Sequence, residues 1–275
     1  MSMDDMSAPV MNAAATPASL QETPPETPAA TEINDLPGTL AEALPESVAE
    51  PVAEPVAEAE TQSEALAGRH ELATQMVAKL CHDFISPAGA IISGLDLLED
   101  PSAQDMKQEA LNLISTSAKK LVALVYFARV AFGAATTSES FSAAQLNKIL
   151  TDMYASVRAE LDFRIDPAII FEKPAARALL NLGLLMGNSL PMGGKSRLEA
   201  SFEDGKLILT AEGRGPRARL KPEAIEGLSG KALSDGLNGQ WIQPHWLYSV
   251  VTEAGGDIKF ESDVDALFIT ATLPA

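Results

Sequence analysis

The chain has 275 residues, 38 Asp and Glu against 20 Lys and Arg, and a formal net charge of −18. That balance argues against direct contact with DNA or RNA, which depends on neutralising phosphates. The single Cys81 excludes an intramolecular disulfide framework, and His70, His82 and His245 are too scattered to complete a zinc site with it.

Residues 1–68 contain 13 of the 18 net negative charges, nine of the 18 prolines and no Lys or Arg. Pro51-Val52-Ala53-Glu54 and Pro55-Val56-Ala57-Glu58 form a short tandem repeat. Low hydrophobicity, one-sign charge and proline do not offset the entropy of ordering, so a disordered acidic Pro/Ala/Glu-rich tail is expected here. It would serve as a solvating spacer, or as an acidic arm that tunes partner binding. No basic signal segment opens the chain and no run of about 18 apolar residues follows, so a soluble, cytoplasmic protein without a membrane span is expected.

Two folded segments follow, 69–133 and 141–275. The first reads as two helices, Gly68 to Asp100 and Ala103 to Phe132, broken at Glu99-Asp100-Pro101-Ser102. A connection this short makes them an antiparallel hairpin. Pro87 removes a backbone donor within the first helix, and Gly89 and Gly94 loosen it nearby, so a kink is expected. Met106, Leu111, Leu113, Ile114, Leu121, Leu124, Val125 and Ala128 form the stripe of the second. Two helices of this length cannot bury their stripes alone, so a homodimer that closes a four-helix bundle is expected.

The first helix carries Leu80-Cys81-His82-Asp83-Phe84-Ile85-Ser86-Pro87. At 100° per residue, Leu80, Phe84, Pro87, Ile91, Leu95 and Leu98 fall within about 40° of the pole opposite His82. Gln75, Ala78, Ser86, Gly89 and Ser93 fall within about 40° of His82 itself. The imidazole should therefore stand in solvent among small residues, where another macromolecule can reach it. A lone histidine on a polar face is usually only solvated; the adjacent acid, the proline and the clearing favour more. Asp83 is a candidate to orient the ring. Cys81 diverges from His82 by 100°, which argues against a thiol–imidazole pair.

After a small-residue linker from Gly133 to Ser140, the pattern becomes mixed. Ala143 to Ala159 reads as a helix, Leu161 to Ile165 as a strand that Ala168 to Phe171 extends, and Pro174 to Leu190 as an apolar core helix. Arg197 to Glu203 and Lys206 to Ala211 form a hairpin around Asp204-Gly205. Pro222 to Leu228 is a short helix, and Gln243 to Ala254 a helix stopped by Gly255-Gly256. Asp257 to Glu261 and Ala266 to Leu273 close the chain as a hairpin. Helices on one face of a largely antiparallel sheet make this an α+β sandwich. Arg158, Arg164 and Arg177 read as ordinary surface charge.

Hairpin, linker and mixed domain, in that order, resemble a histidine kinase core. His82, Asp83 and Pro87 match the phosphoacceptor box of that family. Gly255-Gly256-Asp257-Ile258 matches the turn and strand ending its ATPase domain, and Asn181 and Asn188 lie on the helix of the asparagine box. The nucleotide site is degraded. Glu212-Gly213-Arg214-Gly215-Pro216 replaces the Asp-x-Gly-x-Gly turn that reads adenine. Trp241-Ile242-Gln243-Pro244-His245-Trp246 stands where glycines should cradle phosphates.

A phosphoacceptor hairpin with a decayed ATPase domain resembles the ChpT-type histidine phosphotransferases of alphaproteobacteria, over residues 69–275. The resemblance implies relay of phosphate between receiver aspartates through His82, and the small-residue clearing at Ser86, Gly89 and Ser93 would let a receiver helix approach. It implies the receiver of a CckA-type hybrid kinase as donor and CtrA- and CpdR-type regulators as acceptors. It implies no cofactor or metal site in the chain itself, with Mg²⁺ brought by the receiver. The alternatives are an active kinase with a divergent ATP site and a non-catalytic dimeric scaffold.

Overall fold

The structure is a computed structural model and describes residues 55–133, 140–232 and 238–275, with only the backbone for 55–67 and 69. The tail up to residue 54 and most of the linker lie outside the described residues. Helix α1 spans Pro55–Glu99 and α2 spans Lys107–Ala131, with a 3-10 turn, Pro101–Met106, between them. The α1 helix begins ahead of the expected Gly68, so residues 55–68 do not belong to a structureless tail. Pro55 suits the first helical position, and the Ala, Glu, Gln and Leu that follow are strong helix formers. The same helix continues through Pro87. The second helix starts later than expected because Asp100 caps the 3-10 turn instead. Its Oδ1 accepts hydrogen bonds from Ser102 N and Oγ, both 2.7 Å.

The two helices pack as the expected hairpin. At Gly94 an added Cβ would lie 2.6 Å from Ile114 and 3.2 Å from the Ala110 carbonyl, so glycine permits the close crossing. Ala110, Ala123, Phe127, Val130 and Ala131 form the buried stripe of α2.

The second segment is an α+β layer. Strands β1 (Ser140–Ser142) and β3 (Ile170–Glu172) pair antiparallel in a small separate sheet. This corrects the expected extension of the preceding strand, because Ile170 and Phe171 pair with β1 and not in the main sheet. The main sheet has the order β2-β4-β5-β7-β6, from Ala159–Arg164, Gly194–Glu203, Lys206–Arg214, Ala266–Pro274 and Asp257–Asp263. Only β2 and β4 run parallel. Asp204 and Gly205, at φ 50° and 72°, make the tight turn between β4 and β5.

Leu198, Leu207, Leu209, Ala211, Leu267, Ile269, Ala271 and Leu273 face the helices and are buried. Opposite stand α3 (Ala143–Tyr154), α4 (Lys173–Asn188) and α6 (Asn238–Glu253), with α5 (Pro222–Leu228) against α6. Burying each such Leu or Ile contributes about 1.5–3 kcal/mol. A capping box starts α3: Ser142 N donates to Gln145 Oε1 at 2.8 Å, and Gln145 N to Ser142 Oγ at 3.3 Å. This helix stops at Tyr154, earlier than expected, where the ring turns into the core. Gly255, at φ 78°, ends α6; Gly256 N bonds Val251 O at 2.8 Å and Gly255 N bonds Thr252 O at 2.9 Å.

The last helix begins at Asn238 and carries Pro244 inside it, against the expected start at Gln243. Tertiary packing overrides the proline. At Gly227 of α5 an added Cβ would meet the Trp241 carbonyl at 2.7 Å and Pro244 Cβ at 3.0 Å, so α5 clasps this turn of α6.

Tyr154 ties α3, α4 and the sheet together. Its hydroxyl lies 2.6 Å from the Gly183 carbonyl and 2.8 Å from Ser196 Oγ, and burial pushes its pKa up to about 12. An added Cβ at Gly187 would lie 2.7 Å from this hydroxyl. Tyr154→Phe leaves Ser196, itself fully buried, and the Gly183 carbonyl short of a partner. Urea denaturation should show a loss of about 1–3 kcal/mol with an unchanged slope.

Candidate functional site

The rotation of α1 about its axis decides what each residue of the histidine segment faces. Leu72, Met76 and Leu80 lie on one stripe of α1 and pack with Trp241, Ile242 and Trp246 of α6 and with Phe132. Pro87 and Gly94 continue the stripe toward α2 and are buried. This seam lies roughly 120° around the helix from His82. The His82 side chain is accordingly 85% exposed.

Three of the expected neighbours are placed as the helical pattern requires. Ser86, Gly89 and Ser93 are exposed, and an added Cβ at Gly89 would meet nothing within 4 Å. Cys81 is exposed. The apolar stripe is only partly covered within one chain. Phe84, Ile91 and Leu98 are half-buried, while Leu95 and two residues outside the expected stripe, Ile85 at 70% and Ile92 at 58%, stay exposed.

Asp83 Oδ1 lies 3.4 Å from His82 Nδ1. Its other oxygen, Oδ2, accepts a hydrogen bond from Lys79 Nζ at 2.7 Å. Sequence reasoning missed Lys79, although its place one turn before Asp83 is the spacing at which ion pairs form along a helix.

The joint between hairpin and sandwich is polar and buried. The final carbonyls of a helix have no partner within it. Here Asn181 Nδ2 and Trp246 Nε1 donate to the Ala131 carbonyl at 3.2 and 3.0 Å, and Arg177 Nη2 donates to the Gly133 carbonyl at 2.7 Å. Phe132 packs edge-on between Phe127 and Trp246. Arg177 is thus a structural cation at a helix C-terminus, where the dipole favours it, and not the ordinary surface charge expected.

The would-be nucleotide residues are engaged in packing. Asn181 has no exposed surface and also bonds the Arg177 carbonyl at 2.9 Å. Glu212 sits in an ion ladder across the outer face of the sheet, with Arg197 Nη1 at 3.0 Å and Arg214 beside it. An added Cβ at Gly213 would lie 2.5 Å from Met186 Sδ, and one at Gly215 2.3 Å from the Gly193 carbonyl. Trp241 is buried and donates to the Lys231 carbonyl at 2.9 Å. The tryptophans thus fill α6 with packing where a phosphate cradle would need free backbone donors. Asn188 stands at a cavity of about 280 Å³ with Lys79, Arg219, Lys221 and Gln243. Among the described residues no group of three or more His, Cys, Asp or Glu is placed to hold a metal ion, and no helix is long and apolar enough to cross a membrane.

His245, on α6, stacks on Trp241 with centroids 4.3 Å apart. Its Nδ1 is buried without a hydrogen-bond partner. Burial lowers its pKa below the ordinary 6.5, and a hydrogen bond with the Gly227 backbone opposes that only in part.

Residues 143–266 match the family described as histidine phosphotransferase C-terminal domain. The protein phosphotransferase ChpT of Brucella abortus (strain 2308) is 30% identical over 204 residues, which cover 73% of this chain and 95% of that protein. A solved structure of a bacterial phosphotransferase superposes with a TM-score of 0.66 at 27% identity, over 73% of this chain and 95% of that one. A histidine kinase domain from Erythrobacter litoralis superposes with a TM-score of only 0.39 at 13% identity, over 69% of this chain and 95% of that one.

The stability contributed by keeping His245 neutral is present above pH 6.5 and is lost as pH falls from there toward its lowered folded value. Between pH 7.5 and 5.5 the urea midpoint should fall, and His245→Gln should flatten that part of the dependence.

Proposed function

The chain belongs to the ChpT-type family of histidine phosphotransferases and is a phosphotransferase of a phosphorelay, and within that activity we propose that His82 carries the phosphate. The observation that supports this most is the 85% exposure of His82 on a helix whose rotation is fixed by a buried seam on another face. The open surface of Ser86, Gly89 and Ser93 leaves room for a receiver to bring its aspartate to the ring.

The chemistry asked of His82 is two displacements at phosphorus. The Nε2 lone pair attacks the aspartyl phosphate of a donor receiver; the N–P bond forms as the acyl P–O bond breaks, and the carboxylate leaves with the electron pair. The carboxylate of a second receiver then attacks the phosphohistidine, and the imidazole leaves. Both steps are governed by positioning and charge stabilisation. The receiver's Mg²⁺ would supply charge neutralisation at the transferring phosphoryl group. We assign the donor as the receiver of a CckA-type hybrid kinase and the acceptors as CtrA- and CpdR-type regulators, on the family resemblance.

The same reading makes the protein a homodimer. Val77, Ile85, Ile92 and Leu95 on α1, with Val122, Val125 and Tyr126 on α2, are exposed in the single chain. Exposed apolar surface of this extent on two paired helices marks an interface, and a second hairpin would complete a four-helix bundle.

Two experiments test these readings. Labelled phosphate should pass from a phosphorylated CckA-type receiver to the chain and onward to CtrA- and CpdR-type receivers. His82→Ala should reduce label on the chain to background. Label acquired from ATP alone would overturn the relay reading in favour of a kinase. In light scattering the protein should have the mass of two chains, and the double variant Ile85→Asp, Ile92→Asp that of one. A monomeric parent protein would overturn the bundle.

A further inference from the structure

We propose that Lys79 is a positioning residue for phosphoryl transfer, acting on His82 through Asp83; the inference rests on the reading of His82 as phosphoacceptor. Neighbouring side chains on a helix diverge by 100°, so Asp83 reaches His82 only by leaning toward it. The contact obtained, 3.4 Å between Asp83 Oδ1 and His82 Nδ1, is at the long end for a hydrogen bond. Alone it would not hold an exposed imidazole against water and the rotational freedom of both side chains.

Lys79 changes that. Its ammonium lies 2.7 Å from Asp83 Oδ2. This occupies one carboxylate oxygen and leaves the other turned to the ring. The Lys79 side chain is 20% exposed and that of Asp83 29%, so the pair is screened less than a free surface pair. Lys79 also lines the cavity it shares with Arg219, Lys221, Asn188, Gln243 and Pro244.

The consequence for His82 is a defined tautomer. A carboxylate only accepts hydrogen bonds, so the contact requires the proton on Nδ1. That leaves the Nε2 lone pair, on the outer edge of the ring, to attack phosphorus.

The test uses the full chain and a labelled phosphorylated receiver, with Lys79→Met, Lys79→Arg, Asp83→Asn and His82→Ala. Lys79→Met should lower the saturated transfer rate about tenfold, with KM changed less than about twofold. Nitrogen-15 chemical shifts of the His82 ring should show the Nδ1–H tautomer depleted. Lys79→Arg should return both readouts to within about threefold of the parent, since its guanidinium also bonds a carboxylate. Adding Lys79→Met to Asp83→Asn should cost little more, as the two act in one chain. The proposal is overturned if Lys79→Met transfers at the parent rate while His82→Ala is inactive. It is also overturned if the loss lies in KM alone or the tautomer is unchanged. A His82→Ala protein that still takes up label would instead remove the relay reading itself.

Discussion

The carbonyl of Ala131 accepts hydrogen bonds from side chains of two elements far apart in sequence, Asn181 on α4 and Trp246 on α6. The Arg177 bond to Gly133 extends the clamp by two residues. A helix end buried against a domain leaves carbonyls that water can no longer reach, and each must be satisfied there. Satisfying them with α4 and α6 ties the hairpin to the sandwich. Gly133, at φ 66°, is part of the same device: an added Cβ would lie 2.0 Å from Arg177. Once α2 is fixed, Leu72, Met76 and Leu80 can seat α1 on α6 in only one rotation. His82 is exposed because the seam that seats the helix, Met76, Leu80, Pro87 and Gly94, lies roughly 120° around it.

That joint also engages residues that the sequence compares with a kinase nucleotide site. A kinase-like domain must leave asparagine side chains and glycine backbone free for a ligand. In this chain the same positions carry stability. Asn181 spends its amide on two carbonyls, Gly213 and Gly215 admit close packing, and Glu212 is held between two arginines. A buried amide that gives up such bonds costs more than a weak ligand returns. In this chain these groups act as struts of the sandwich and of its joint with the hairpin.

The element order, the hairpin turn at Asp204-Gly205 and the glycine stop of α6 were legible because each is a local signal of few residues. So was the exposure of His82, Ser86, Gly89 and Ser93, since helical periodicity fixes the faces before anything packs. Misreadings came where distant packing overruled local preference. The last helix was expected from Gln243, yet it begins at Asn238, where Gly227 lets α5 press on the turn from Trp241 to Pro244. Ile170 and Phe171 looked like a continued strand, yet they found a partner in the three residues Ser140–Ser142, too short to be read as a strand alone. Arg177 read as surface charge because nothing local records that the end of α2 would arrive beside it.

The sequence by itself determined the helical hairpin, the class of the second domain, the face on which His82 stands, and the family to which the chain belongs. Periodicity, turn chemistry and a short motif are all encoded within a few turns of chain. Only the tertiary structure decided which groups hold that face in place. The Ala131 clamp and the burial of Asn181 depend on which donors meet which acceptors once water is excluded, and that pairing exists only after elements 50 and 115 residues apart have packed.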